Sequence, residues 1–315
     1  MRENLIPKLE FRIPISPTPG FFKQVELFNY CLRQLGGAYE ECLLTVVVGD
    51  ECNIDWVKSE NPWSRNFNIS WQAVPVDIFR EFGIHGTANW RLCIPSSADI
   101  IILSDADTIL TKDIDPLFSV LCRDDPVIIG HMAHFPPPIS IAPSDGYERG
   151  GKYFWSDIFD RFDIEWPSVL HNYSMTNAES SVPAYFNLGF VGLNASALSS
   201  IGKHVLDYER RFKEICDSHM RCQIILTLMS YKLGFNIGVL PAQYNAANDP
   251  EHIRLNYISE DDIRVMHYLR ESEFRRSTFL TPNEIIGFLD SKLELPCNKL
   301  LQKIVKNFYI KNGKI

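Results

Sequence analysis

The 315-residue chain contains no Cys-x-x-Cys pair, no internal repeat and no apolar run approaching the roughly 20 residues that a membrane-spanning helix needs. Its cysteines, Cys31, Cys42, Cys52, Cys93, Cys122, Cys216, Cys222 and Cys297, are scattered, which excludes both a zinc knuckle and a disulfide framework. Met1-Arg2-Glu3-Asn4 leads into the polar run from Pro7 to Glu10, without the apolar stretch of a secretory signal, so a cytoplasmic location in a reducing environment is expected. Thirty-one basic against 39 acidic residues leave a net charge of -8, and no nucleic-acid partner is expected of such a surface.

What is present suits a folded domain. Hydrophobic residues make up 45% and charged residues 22%, enough to bury a sizeable core. Apolar positions from Phe21 to Leu35 recur at helical spacing until Gly36-Gly37 ends them, and Leu43 to Val48 is a β-branched run stopped by Gly49-Asp50. Further strands are expected at Phe11 to Pro14, Trp71 to Val76, Asp99 to Leu103, Val127 to Gly130, Tyr185 to Asn194, Asn236 to Leu240 and Ile263 to Tyr268. Helices are expected at Thr87 to Ile94, Ala197 to Ile215 and Gln223 to Leu233.

Alternating strands and helices imply an α/β fold with a doubly wound, mostly parallel central sheet flanked by helices. Residues 1–290 are expected to form one domain, with an insertion over 135–180 and a basic extension over 291–315. The stretch from Phe135 to Trp166, with Pro136-Pro137-Pro138, Gly150-Gly151 and many aromatics, is expected to be irregular.

The C-terminal segment carries Lys299, Lys303, Lys306, Lys311 and Lys314 with no acidic residue, and is amphipathic if helical. Two uses are open: peripheral contact with an anionic membrane, or a helix docked on its own domain with a solvated basic face.

The chemistry centres on Ser104-Asp105-Ala106-Asp107, which follows the fully apolar strand. Carboxylates one residue apart on a turn can share a cavity, and their repulsion calls for a hard divalent cation or a proton. Such an ion leaves coordination positions for substrate phosphates. An isolated Asp-x-Asp is often only a solvated turn.

Its flanks are more specific. Trp90-Arg91-Leu92-Cys93-Ile94-Pro95 precedes the strand, Thr108-Ile109-Leu110-Thr111-Lys112-Asp113-Ile114 follows it, and Phe186-Asn187-Leu188-Gly189-Phe190 lies downstream. The chain resembles the family-8 glycosyltransferases of the GT-A fold, the group of glycogenin and the bacterial lipopolysaccharide galactosyltransferases. The resemblance implies a hexosyltransferase moving sugar from a nucleotide-sugar donor, a UDP-sugar, to a hydroxyl of a glycan, protein or lipid, with retention of configuration. It implies manganese or magnesium as cofactor, with Asp105, Asp107 and His267 as ligands. By the same resemblance Arg91, Asp105, Ala106, Asn187 and Gly189 contact the nucleotide sugar, and the family's Asp-Gln pair appears as Cys222-Gln223, so that Gln223 joins Asp105 and Asp107 as a catalytic residue. Pro14 to Gly20 would lie beside the nucleotide, although three prolines there also suit a stiff terminal arm.

The chain departs from the pattern after His267, where Tyr268-Leu269-Arg270-Glu271 replaces a Gly-x-Lys-Pro-Trp element, and Arg270, Arg275 or Arg276 would have to supply the diphosphate's positive partner. In the insertion, Tyr147, Tyr153, Phe154 and Trp155 suit two uses, an acceptor platform or packing within the domain. Two alternatives share the motif: a haloacid-dehalogenase-type phosphatase, and a sugar-nucleotide-binding module without turnover.

Overall fold

A computed structural model describes residues 6–137, 151–176, 180–216, 218–275, 278, 281–311 and 313. The chain begins with β1 (Leu9–Ile15), α1 (Pro19–Gln34), β2 (Leu43–Val48), α2 (Ile54–Glu60), β3 (Ile69–Ala73), α3 (Val76–Phe82), α4 (Ile84–Cys93) and β4 (Ile100–Ser104). Next come β5 (Thr108–Leu110), α5 (Phe118–Leu121), β6 (Val127–Met132), α6 (Lys152–Arg161), β7 (Phe186–Asn194), α7 (Ala195–Gly202), α8 (Val205–Ile215) and α9 (Arg221–Lys232). β8 (Asn236–Val239), β9 (Ala246–Ala247), α10 (Pro250–Leu255), β10 (Val265–His267), α11 (Pro282–Asp290) and α12 (Pro296–Lys311) complete it.

Seven strands form the main sheet in the order β3-β2-β1-β4-β7-β6-β8, with β7 antiparallel to both neighbours and the other pairings parallel. Strand β4 is apolar on both faces, with Ile100, Ile101, Ile102 and Leu103 all buried, and Phe11 and Ile13 of β1 add to one of them. Pro14 is compatible with a central strand because it lies beyond Arg12, the last β1 residue paired to β4, where its missing N–H leaves no ladder bond unmade.

Helix starts follow local chemistry. Thr18 caps α1, with Pro19 in its first turn, and the Asn194 side chain accepts from Ala197 N at the start of α7. A charged pair buried in β1 fixes α4: Arg12 Nε donates to Glu10 Oε1 at 2.8 Å, and its Nη1 donates to the carbonyls of Arg91 and Ile94 at 2.5 and 2.7 Å. Those carbonyls belong to the last turn of α4, which is thereby tied to the sheet at the position of Arg91.

Four expectations need correction. Strand β3 ends at Ala73, because Pro75 opens α3. The helix expected at Thr87 starts at Ile84, after Gly83 at φ 59°. The helix expected from Ala197 to Ile215 is two helices, α7 and α8; Gly202 lies so close to α4 that a Cβ there would be 2.7 Å from Leu92 O, and the chain turns at that contact.

The fourth concerns the insertion, which includes the helix α6. Its Phe154, Trp155, Ile158 and Phe159 are fully buried on one face, with Trp155 Nε1 donating to Tyr173 Oη at 2.9 Å. Phe154 and Trp155 are therefore core residues and not an acceptor platform; Tyr153 is exposed, and Tyr147 lies outside the described residues.

The C-terminal segment is helical over Pro296–Lys311, and its apolar face is used internally. Leu301, Val305 and Phe308 of α12 are buried in a cluster with α11 and with Leu27 and Cys31 of α1. Lys299, Lys303 and Lys306 remain on the outer side. Among the described residues no helix is long and apolar enough to cross a membrane, and every cysteine is a free thiol.

Candidate metal and nucleotide site

The turn after β4 is built by its own side chains. Thr108 Oγ1 donates to Asp105 O at 2.7 Å and lies 2.8 Å from Ser104 Oγ, which in turn is 3.1 Å from Gly189 O of β7. These bonds hold the backbone of Asp105-Ala106-Asp107 over the end of the sheet, on the carboxyl side where ligands of doubly wound folds bind.

His267 is 160 residues away in sequence but adjacent in space, because β5, which leaves the turn, pairs antiparallel with β10 and sets His267 opposite Thr108. Tyr268 locks the register, its N donating to Asp107 O at 3.0 Å and its hydroxyl to Ala106 O at 3.3 Å. The ligand atoms of Asp105, Asp107 and His267 all lie within 4.8 Å of one another.

The hydrogen-bond network settles the tautomer of His267. Gly189 N can only donate, so the atom of Asn187 that it meets at 2.9 Å is Oδ1. Asn245 Nδ2 donates to that same oxygen at 3.0 Å, which turns Asn245 Oδ1 toward His267 Nδ1, also at 3.0 Å. The hydrogen of neutral His267 is therefore on Nδ1. Its Nε2 presents a lone pair to Asp107 Oδ1 at 3.2 Å. Two acceptors at that distance need a positive charge between them, either a proton or a metal ion.

Gly189 is required by the same arrangement, since a Cβ there would be 2.4 Å from His267 Nδ1. The Asn-x-Gly element thus builds the support behind the histidine. Asn245, which completes it, was missed in the sequence; a single asparagine after a short helical turn carries no signal on its own.

Asp105 forms the open side of the cluster, with 36% of its side chain exposed, and buried Arg91 stands behind it at 3.8 Å. Incomplete hydration raises the pKa of Asp105; Arg91 acts against this, while Asp107 adds to it. Arg91 Nη1 donates to Ser104 O at 3.0 Å, and burial draws its own pKa down, with Asp105 opposing. Ala106 is buried, its carbonyl taken by Tyr268.

The remaining sequence-expected residues lie further out. Arg270 Nε donates to Asp249 Oδ2 at 3.0 Å, and its backbone N to Asn248 Oδ1 at 2.7 Å; the guanidinium is 38% exposed. Arg275 is exposed, and Arg276 lies outside the described residues. Gln223 stands on the first turn of α9, the helix that packs on β7 and α4, the elements bearing Asn187 and Arg91. Its Nε2 contacts Met220 Sδ at 2.8 Å, whereas its buried Oε1 has no hydrogen-bond partner among the described residues, and neither has Arg91 Nε nor Asn89 Oδ1. Beside Gln223, Cys222 Sγ lies 3.6 Å from His85 Nδ1, and burial pushes this thiol well above its ordinary pKa, so it stays neutral.

No protein-family model matches the chain, and no curated protein matches its sequence. Solved structures do match its fold. The galactosyltransferase LgtC in complex with donor and acceptor sugar analogues superposes with a TM-score of 0.54 at 15% identity, over 90% of this chain and 98% of that one. Mouse xyloside xylosyltransferase 1 gives 0.52 at 14% identity, over 86% of this chain and 100% of that one. The bifunctional glycosyltransferase WbbM gives 0.53 at 13% identity over 86% of this chain, which spans only 47% of that protein. The chain has the GT-A-type fold of these glycosyltransferases.

Proposed function

We propose that the chain is a metal-dependent glycosyltransferase that moves a hexose from a UDP-sugar to a hydroxyl acceptor with retention. The observation that carries this reading is the lone pair of His267 Nε2 facing Asp107 Oδ1, with Asp105 alongside, on a fold shared with the glycosyltransferases named above. Carboxylate oxygens and one imidazole nitrogen are a donor set that fits manganese or magnesium. When bound by Asp105, Asp107 and His267, the ion would supply neutralisation of the diphosphate charge that grows as its bond to the sugar breaks.

The chain's own groups do the rest. Asn245 and Asn187 hold the His267 ring in place, and Arg91 puts a fixed positive charge behind Asp105. Arg270, half exposed beside Asp249, offers a guanidinium to the diphosphate. Gln223 Oε1 and Asn89 Oδ1 are buried acceptors and Arg91 Nε a buried donor, none with a hydrogen-bond partner among the described residues. In the transfer the anomeric carbon leaves the phosphate oxygen and joins the acceptor oxygen, and the acceptor's proton passes to the departing phosphate. That route asks for no strong protein base, which suits a site where neutral Cys222 stands in place of a carboxylate.

The same Cys222 favours a second reading, a nucleotide-sugar-binding module without turnover. The fold likeness lends nothing to the phosphatase alternative. Incubation with a panel of UDP-hexoses and manganese separates these outcomes: release of UDP and free or transferred hexose supports the transferase, donor binding without release supports the module, and hydrolysis of a simple phosphate ester would overturn both.

A further inference from the structure

A second group of metal-ligating side chains lies outside the aspartate cluster. His131 is the penultimate residue of β6, His134 follows the strand, and His252 comes from α10; all three are buried. Their ligand nitrogens lie within 4.8 Å of one another, with His131 Nε2 3.3 Å from His252 Nε2 and the rings of His134 and His252 4.5 Å apart. For metal–nitrogen bonds of about 2.0–2.1 Å, the edge of a coordination tetrahedron is about 3.3 Å. We propose that His131, His134 and His252 form a zinc-binding site that clamps the segment after β6 to α10.

The surroundings fit two of the three rings directly. His131 Nδ1 donates to Leu240 O at 3.0 Å, and His134 Nδ1 is paired with Ser174 Oγ at 2.8 Å, so each keeps Nε2 for a metal and has the outer partner that orients a liganding histidine. His134 Nε2 is buried and has no hydrogen-bond partner among the described residues. His252 is the ring that must change. Its Nδ1 accepts from Ala247 N at 3.2 Å, so without metal its hydrogen sits on Nε2 and is donated to His131. Metal at Nε2 moves that hydrogen to Nδ1, where it would meet the Ala247 N–H donor to donor, so metal binding requires the His252 ring to turn away from Ala247, with no net release of protons.

Burial holds all three imidazoles below their ordinary pKa, His252 at about 3, so their lone pairs are unprotonated at neutral pH. Three nitrogens and no carboxylate select zinc or another borderline transition metal, whereas Asp105 and Asp107 select a hard ion. The two sites are therefore chemically distinct, and this one does not depend on the proposed transferase activity.

The test uses the full chain, stripped with a chelator and titrated with cobalt in excess magnesium, which occupies the aspartate cluster. The expected result is one equivalent of cobalt with the visible absorption of a four-coordinate site, displaced by one equivalent of zinc, retained in the Asp105→Asn/Asp107→Asn variant and lost in His134→Gln. X-ray absorption of the zinc-loaded wild-type protein, which needs no variant, should give a first shell with three histidine nitrogens. Absence of the cobalt band, its loss in the aspartate variant, its survival in a folded His134→Gln, or an oxygen-only shell would each overturn the site.

Discussion

His267 Nε2 and Asp107 Oδ1 stand 3.2 Å apart, while the hydrogen of the imidazole is committed on its far side to Asn245. The two side chains thus hold an imidazole nitrogen and a carboxylate oxygen together, a pair that is repulsive unless a proton or a metal ion lies between them. A bound cation removes that repulsion, so its binding should be linked to the stability of both β5 and β10.

Asn245 is the joint through which this orientation is imposed. Asn245→Ala removes the acceptor of His267 Nδ1 and one of the two donors to Asn187 Oδ1, and should weaken manganese affinity by about 10- to 100-fold, as loss of an outer partner of a liganding histidine does. Isothermal titration with manganese measures it directly; an unchanged affinity would mean that the ring is held by packing alone.

Gly189→Ala places a methyl group 2.4 Å from His267 Nδ1, against a ring that is paired on both sides. Expected are a loss of about 1–3 kcal/mol in urea unfolding and a weaker stabilisation by manganese. A variant that is destabilised but keeps its full manganese response would show that the strand, and not the histidine, absorbs the overlap.

The buried aromatics of α6 give a prediction about the insertion. Phe154→Ala should cost about 3–5 kcal/mol, whereas exposed Tyr153→Ala should stay within about 0.5 kcal/mol of wild type. If Phe154→Ala left stability unchanged and altered only acceptor use, the acceptor platform would return.

Alkaline pH should destabilise the fold through its buried thiols. Burial pushes Cys42 and Cys297 up to about 11 and Cys31 up to about 12, from 9.0. Between pH 9 and 11 the unfolded chain loses protons that the folded chain keeps, so stability falls as pH rises, by about 1.4 kcal/mol per pH unit for each fully affected thiol. Denaturant titrations across this range should show the slope, and Cys297→Ala should reduce it.

The residues legible in the sequence were those whose signal is local. Asp105 and Asp107 follow an apolar strand, and the Phe186–Phe190 element carries its spacing within one strand. The distant partners were less legible: His267 was reached through resemblance, Asn245 carries no pattern, and the His131-x-x-His134 spacing gains meaning only when the fold brings His252 beside it. α6 was obscured because the Pro- and Gly-rich flanks masked its buried face, which repeats over fewer than three turns. The break between α7 and α8 depends on how closely Gly202 approaches α4, a tertiary contact that no periodicity records.

The central claim is that Asp105, Asp107 and His267 hold a divalent cation on which nucleoside diphosphate binding depends. Calorimetric titration of UDP into the chelator-treated protein, with and without manganese, tests it most directly. UDP is expected to bind only with manganese, and not to a folded Asp107→Ala variant; UDP binding of equal strength without the metal, or undiminished in Asp107→Ala, would overturn the metal assignment.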